Sequence, residues 1–452
     1  MPTPINLQLG WPSPRLFPRE ELALSTASSL SNLETVKQGL LYGPSLGHAP
    51  LRKSIASWLS SFYLPKSGPI PIERISISGG ASQNLANILD VFSDPHITQR
   101  IWMVEPTYFL ACTIFEDAGF SGKMRGVPEN ENGIDVKFLR EELKAFTRQQ
   151  EMHNGVLPPV KPPGSYDKIF KHILYLTPTF SNPSAKTMPT SVREEVLALA
   201  REFDILVVSD DVYEWLRWPA DKSAPVDSKL APIPPRLVDL DRATLGEDPW
   251  GNSISNGSFS KIIGPGVRVG WTEASTKMIS RLSLNGATQS GGAPSQLTST
   301  FIDPLLRTGA LQKHIEEILI PTYRSRFHVL MSAIQNHLEP LGVKVTTGAP
   351  YTVAGKDEVL PAGGFFTYIS FPESLPSADV IAKKAMEDYA LKIAYGEMFV
   401  IRGDKSSLER SKSTFGRGAR LCWAWHEEEE IEDGVRRLGE LVKAMLTEAT
   451  NS

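Results

Sequence analysis

Cysteine is nearly missing from this chain of 452 residues: Cys112 and Cys422 are the only two. That excludes a disulfide framework and leaves too few thiols for a metal cluster. Both stand in apolar surroundings, where a cysteine serves as a small buried hydrophobe. No apolar run is long enough to span a bilayer. The opening residues, Met1 to Gly10, have neither the basic start nor the apolar stretch of a secretory signal, so a cytoplasmic location is expected. Neither sign of charge dominates: 47 Lys and Arg stand against 51 Asp and Glu, a net of −4. Such a balance gives no electrostatic reason to expect nucleic acid or a membrane surface as partner. With 41% hydrophobic and 22% charged residues, the chain has the composition of a soluble globular protein. Its length allows two or three domains.

The stretch that organises the rest is 258–271, Ser-Phe-Ser-Lys-Ile-Ile-Gly-Pro-Gly-Val-Arg-Val-Gly-Trp. The amine of Lys261 can form a Schiff base with a carbonyl. Ser258, Ser260, the turn amides and the planar fork of Arg268 can together close round an anion. Taken alone, a surface lysine beside a glycine turn has the same look.

Other stretches carry polar residues at the ends of strand-like runs. Ile75–Ser78, then Gly79-Gly80, then a helix from Ala81 presents free backbone amides and a positive dipole end to an anion. Arg100–Glu105 leads to a turn with Tyr108. His172–Leu176 leads to Asn182-Pro183, and after a helix at 190–203 a second apolar run ends in Asp210-Asp211 and Tyr213. This strand–helix–strand pattern argues a parallel sheet, whose carboxyl edge is where ligands bind. The Pro-rich segments 145–168 and 217–253 read as exposed loops. Towards the end, 363–370 and 419–425 alternate like strands, with helices at 377–390 and 431–446. Arg420 opens the apolar run Leu-Cys-Trp-Ala-Trp, a poor place for an arginine unless it meets an anion.

The pattern Ser258-x-Ser-Lys261 followed by Gly-x-Arg268-x-Gly resembles the cofactor-lysine segment of fold-type I pyridoxal-phosphate (PLP) enzymes. Its form is that of class I/II aminotransferases of the kynurenine/2-aminoadipate type. Tyr42, Gly80, Tyr108, Asn182, Asp210, Tyr213, Lys261, Arg268 and Arg420 follow that family's order over nearly the whole chain. The resemblance implies roles for each. Lys261 carries PLP, Asp210 faces the pyridine nitrogen, and Tyr108 stacks on the ring. Tyr213 and Asn182 reach the 3-oxygen, while Ala81, Ser82, Ser258, Ser260 and Arg268 hold the phosphate. Tyr42 reaches the partner subunit's phosphate, and Arg420 with Asn182 clamps the substrate's α-carboxylate. Lys261, Asp210 and Tyr108 form the catalytic set, with no metal. Two departures stand out: Ala81 replaces a hydroxyl residue, and Ala185 replaces the glycine usual two positions after Pro183.

The implied architecture is an α/β protein of PLP-dependent transferase fold type I. A large domain with a mostly parallel sheet covers 31–300, and a small α+β domain is built from 1–30 and 301–452. The implied assembly is a homodimer with shared active sites, and segments 10–13 and 288–292 line the substrate pocket. The expected reaction moves an amino group between an α-amino acid and a 2-oxo acid. A β- or γ-elimination, substitution or cyclisation on the same cofactor is the alternative. A PLP-binding effector domain of a transcription regulator wants a fused DNA-binding domain, for which the short Pro-rich N-terminus leaves no room.

Overall fold

A central eight-stranded sheet gives the molecule its frame. In the computed structural model, which describes residues 3–151, 157–162, 167–347 and 359–450, its strands are β1 (Ile75–Ser78), β2 (Arg100–Glu105), β3 (Met124–Asn130), β4 (Gly133–Ile134), β5 (His172–Leu176), β6 (Ile205–Asp210), β7 (Ser253–Ser258) and β8 (Gly270–Glu273). Their spatial order is β1-β8-β7-β6-β5-β2-β3-β4. From β7 through β6, β5 and β2 to β3 every pairing is parallel. Only β8 runs against both its neighbours, and the short β4 folds back on β3.

The middle strands are apolar on both faces because helices cover both sides. On one face Ile173, Tyr175, Leu206, Val208 and Ile254 meet the helix Ala81–Phe92 through Leu85, Ile88 and Leu89. On the other, Leu174, Leu176, Ile205 and Val207 meet the helix Thr190–Phe203 through Val196, Leu197 and Ala200. Each strand therefore alternates between two cores, and its carboxyl end is free to carry polar groups to one edge of the sheet.

A second, antiparallel sheet is formed by β9 (Lys344–Val345), β10 (Phe366–Ser370), β11 (Ala394–Tyr395) and β12 (Gly418–Cys422), in the order β9-β10-β12-β11. Helices Ile320–His337 and Glu428–Thr450 accompany it. The N-terminal arm joins this part of the molecule: Ile5 and Asn6 pair with Leu391 and Lys392. His426 is structural, accepting a hydrogen bond from the Asn6 amide at 3.0 Å and facing Glu430. Both cysteines are buried and free.

Two loop expectations are corrected. The segment 217–253 holds a strand, Arg217–Pro219, paired with Pro361–Gly363, and a helix, Leu237–Thr244. Trp218, Leu237 and Val238 in it are buried, and so is Arg236, which pairs with Asp239 and Glu273 at 2.9 and 2.8 Å. A buried ion cluster looks polar in the sequence and so mimics a surface loop. The segment 145–168 begins inside the helix Val136–Glu151, and residues 152–156 and 163–166 lie outside the described residues.

Candidate active site

The carboxyl edge of the large sheet faces the small sheet across a cavity of about 390 Å³. The residues lining it come from five strand ends of the large sheet, the N-terminal arm, β10 and β12 of the small sheet, and Lys392 beside the arm. Ala81, Ser82, Tyr108, Asn182, Asp210, Tyr213, Ser258, Ser260, Lys261, Arg268 and Arg420 all face it. The topology explains the convergence: residues 80, 108, 182, 210 and 258 each stand at or just beyond the carboxyl end of a strand.

One end of the cavity is built for an anion. Helix Ala81–Phe92 opens there with its unpaired first-turn amides. Ser258 and Ser260 hold their hydroxyls 2.8 Å apart in the turn after β7. Arg268 anchors its guanidinium on the Gly79 and Pro265 carbonyls at 2.7 and 2.8 Å. Gly80 makes room for it: with φ near 100° it occupies backbone space that side chains rarely take, and an added Cβ would lie 2.4 Å from Arg268 Nη2.

Asp210 ends β6 and points into the middle of the cavity. Its two oxygens accept from the Tyr175 hydroxyl at 2.5 Å and from Asn256 Nδ2 at 2.7 Å. Burial pushes its carboxyl up to about 6, and these two donors oppose that rise. Asp211, the other member of the pair, turns away and accepts from Ser209 and Ser255 within the protein. The Lys261 amine donates to the Gly10 carbonyl at 3.0 Å and lies 5.9 Å from the centre of the Tyr213 ring. Burial first, and then Arg420, bring its ammonium down to about 8, although Cys422 and Asp210 favour the charge. Tyr213 is buried, which pushes its hydroxyl well above the ordinary phenol range.

Arg420 enters from β12. It donates to Asn182 Oδ1 and to the Gln8 carbonyl, both at 2.6 Å, and stacks over the Phe366 ring at 4.1 Å. Its Nε is buried with no hydrogen-bond partner among the described residues. The Asn182 loop keeps the shape a glycine would give it, because Ala185 adopts a φ of 59° and its amide bonds the Ser181 carbonyl at 2.7 Å.

Gly10, Trp11 and Pro12 line the cavity as expected, whereas residues 288–292 do not line it in a single chain. Tyr42 also lies apart, 90% exposed on the surface. Tyr175, Asn256 and Gln8 were missed. Tyr175 reads as an ordinary core aromatic, and the one available signal for Asn256 was a strand, Ser-Ile-Ser-Asn-Gly-Ser, too polar to be buried without a task.

The sequence profile of the aminotransferases described as "class I and II" matches residues 21–438. The chain belongs to that family. This aminotransferase is 32% identical to an uncharacterised protein of Saccharomyces cerevisiae, with 97% of each chain covered. It is 29% identical to aromatic-amino-acid aminotransferase 1 of Thermococcus litoralis, over 97% of this chain and 88% of that one. Among solved structures, the multiple substrate aminotransferase from Thermococcus profundus superposes with a TM-score of 0.75 at 25% identity, covering 99% of this chain and 93% of the other. The aminotransferase shares its fold, fold type I, with that enzyme, in keeping with its large mostly parallel sheet.

Proposed function

We propose that this aminotransferase holds PLP in the cavity at the carboxyl edge of its sheet and takes a large apolar or aromatic α-amino acid as donor. One observation carries the reading. Among the described residues, four cations, Lys261, Arg268, Lys392 and Arg420, line one cavity with a single carboxylate, Asp210. A site so charged suits two anions, and of its two arginine forks Arg268 comes from the turn between β7 and β8 and Arg420 from β12 of the small sheet. A phosphate fits the helix terminus, the two serines and Arg268; an α-carboxylate fits Arg420. The lysine and the carboxylate between them fit a protonated pyridine aldehyde.

When bound, PLP supplies the electron sink that lets a proton leave the substrate's Cα. Asp210 would keep the ring nitrogen protonated, and Tyr213 with Asn182 would donate to the 3-oxygen. Tyr108 would lie against the ring face. Lys261 would hold the cofactor and, once displaced by the incoming amine, move the proton from Cα. Trp11, Phe109, Leu110 and Ile114 line the same cavity and suit a large apolar side chain, in keeping with the name of the Thermococcus litoralis relative. The acceptor is a 2-oxo acid.

The division into a large unit at 31–300 and a small one from 1–30 and 301–452 belongs to this proposal, supported by the separate sheets. So does a homodimer that brings Tyr42 to the partner's site. Leu33, Leu40 and Leu41 beside Tyr42 are all more than 60% exposed, an apolar face suited to burial between subunits.

Phenylalanine given alone to the holoenzyme should yield one equivalent of its 2-oxo acid per site and then stop, the nitrogen remaining on the cofactor. Continued turnover without acceptor, with ammonia released, would overturn transamination. Failure with phenylalanine but success with aspartate would overturn the apolar pocket.

A further inference from the structure

Three side chains stand in one row across the large sheet. Asp210 on β6 is in register with Asn256 on β7, and Asn256 with Thr272 on β8. Helix Ala81–Phe92 covers the row with Asn84. Asn256 Nδ2 donates to Asp210 Oδ1 at 2.7 Å and to the Ala81 carbonyl at 3.0 Å. Asn84 Nδ2 donates to Asn256 Oδ1 at 2.7 Å, and the Thr272 hydroxyl donates to Asn84 Oδ1 at 2.7 Å. Asn84, Asn256 and Thr272 are at most 2% exposed.

The sense of every bond is forced from the Asp210 end. A carboxylate only accepts, so Asn256 must turn its nitrogen towards it. The oxygen of Asn256 then faces Asn84 and needs a donor. Asn84 supplies one, and the oxygen it thereby turns away is met by Thr272. Flipping Asn256 would set its oxygen against a carboxylate and a carbonyl. Packing alone asks for none of this, since apolar side chains fill a buried row without desolvating three polar groups.

We propose that Asn256 is a positioning residue: it ties Asp210 to the first turn of helix Ala81–Phe92, while Asn84 and Thr272 fix the direction of its amide. The proposal rests on the assignment of Asp210 to the ring nitrogen and of Ala81 to the phosphate. It adds that the separation between those two contacts is set by one side chain that touches no ligand. The other ionisable groups about Asp210 are Tyr175, Tyr108, Tyr213, Asp211 and Lys261. Burial and Asp211 disfavour its charge, so the donors from Tyr175 and Asn256 are what favour it besides Lys261. With Asn256 replaced by an apolar group, the shared proton moves from the ring nitrogen towards the carboxyl.

The test uses holoenzyme carrying PLP labelled with ¹⁵N in its ring. Asn256→Leu should move the ring resonance towards that of unprotonated pyridine and weaken PLP binding about tenfold or more, the scale of a hydrogen bond to a charged group. Thr272→Val, equal in shape, should move the resonance the same way by less. A wild-type resonance and affinity in both variants, with melting temperatures showing them folded, would overturn the proposal. Should Asn256→Leu not fold, an unmoved resonance in Thr272→Val overturns it alone. A wild-type chain that binds no PLP would sink the underlying assignment instead, which Asp210→Asn checks independently.

Discussion

Replacing Gly80 by alanine would strike the phosphate end of the cavity in two separable ways. At φ 100° and ψ 167° the backbone lies where a side chain is strained, at about 1–3 kcal/mol. That cost falls on the folded chain whether or not a ligand is bound. The new Cβ would also lie 2.4 Å from Arg268 Nη2 and 3.1 Å from its Cζ. Ordinary contact needs about 3.5 Å, so the guanidinium must withdraw by about 1 Å. Its bonds to the Gly79 and Pro265 carbonyls, at 2.7 and 2.8 Å, would then break. A phosphate held by that fork would lose about 1.5–3 kcal/mol, or roughly 10- to 150-fold in affinity. Titrating the apo protein with PLP and with unphosphorylated pyridoxal separates the phosphate contribution from all else. The ratio of the two affinities should collapse in Gly80→Ala, while the melting temperature of the apo protein falls from the backbone strain together with the loss of Arg268's bonds to the Gly79 and Pro265 carbonyls. An unchanged ratio would refute the phosphate site; an unchanged melting temperature would refute the strained conformation at residue 80.

Further outcomes follow from the same geometry. Arg420→Lys replaces a fork that reaches both Asn182 and the Gln8 carbonyl with a single ammonium. We expect kcat/KM for the amino donor to fall about 10- to 100-fold, mainly through KM, with PLP affinity unchanged in equilibrium titration. Ala185→Gly relieves a left-handed residue at a cost in unfolded-chain freedom, so thermal or urea unfolding should show a change between zero and about 1 kcal/mol of stabilisation. A loss of more than about 1 kcal/mol would mean that the Ala185 methyl group packs usefully. The Lys261 amine, with its ammonium brought down to about 8, must be neutral to attack an aldehyde. The rate at which apo protein captures PLP should therefore rise with pH through about 8, and a rise centred near the ordinary lysine value would contradict the burial of that amine.

The parts of the site that were legible share one property: their chemistry is local. Lys261 and Arg268 sit in one turn, Asn182 and Pro183 in another, and Asp210 closes an apolar run whose strand character needs no partner to recognise. Arg420 was legible by contrast, as a charge opening an apolar strand. The parts that were not legible depend on pairing. Nothing in Ser253–Ser258 says that Asn256 will lie beside Asp210 rather than two residues away; that register is a property of two strands separated by 42 residues of chain. The buried cluster of Arg236, Asp239 and Glu273 was hidden for the same reason, since each charge seems soluble until its partner is placed. Asp210 and not Asp211 lines the cavity, as the resemblance implied, whereas the segment 288–292, read from the same resemblance, does not line the cavity of a single chain.

The charge surplus of the cavity also bears on what the cavity can hold. Of the four cations Arg268 and Lys392 are solvent-exposed, but Lys261 and Arg420 repel each other in a partly dry space. The chain answers this in ways visible in the structure. Arg268 and Arg420 each rest on backbone carbonyls, whose partial charges offset a guanidinium without neutralising it. Lys261 yields instead, its proton held less tightly than usual. A dianionic phosphate beside Arg268 would relieve the surplus at the large sheet, and a carboxylate on Arg420 would relieve it at the small one. The second anion would thus draw Arg420 and β12 towards the ligand, while the backbone contact of Arg420 with Gln8 couples the N-terminal arm, and Trp11 with it, to the same event. On the proposed reading cofactor and donor would discharge different ends of one cavity, so the phosphate test at Gly80 and the carboxylate test at Arg420 should give independent answers.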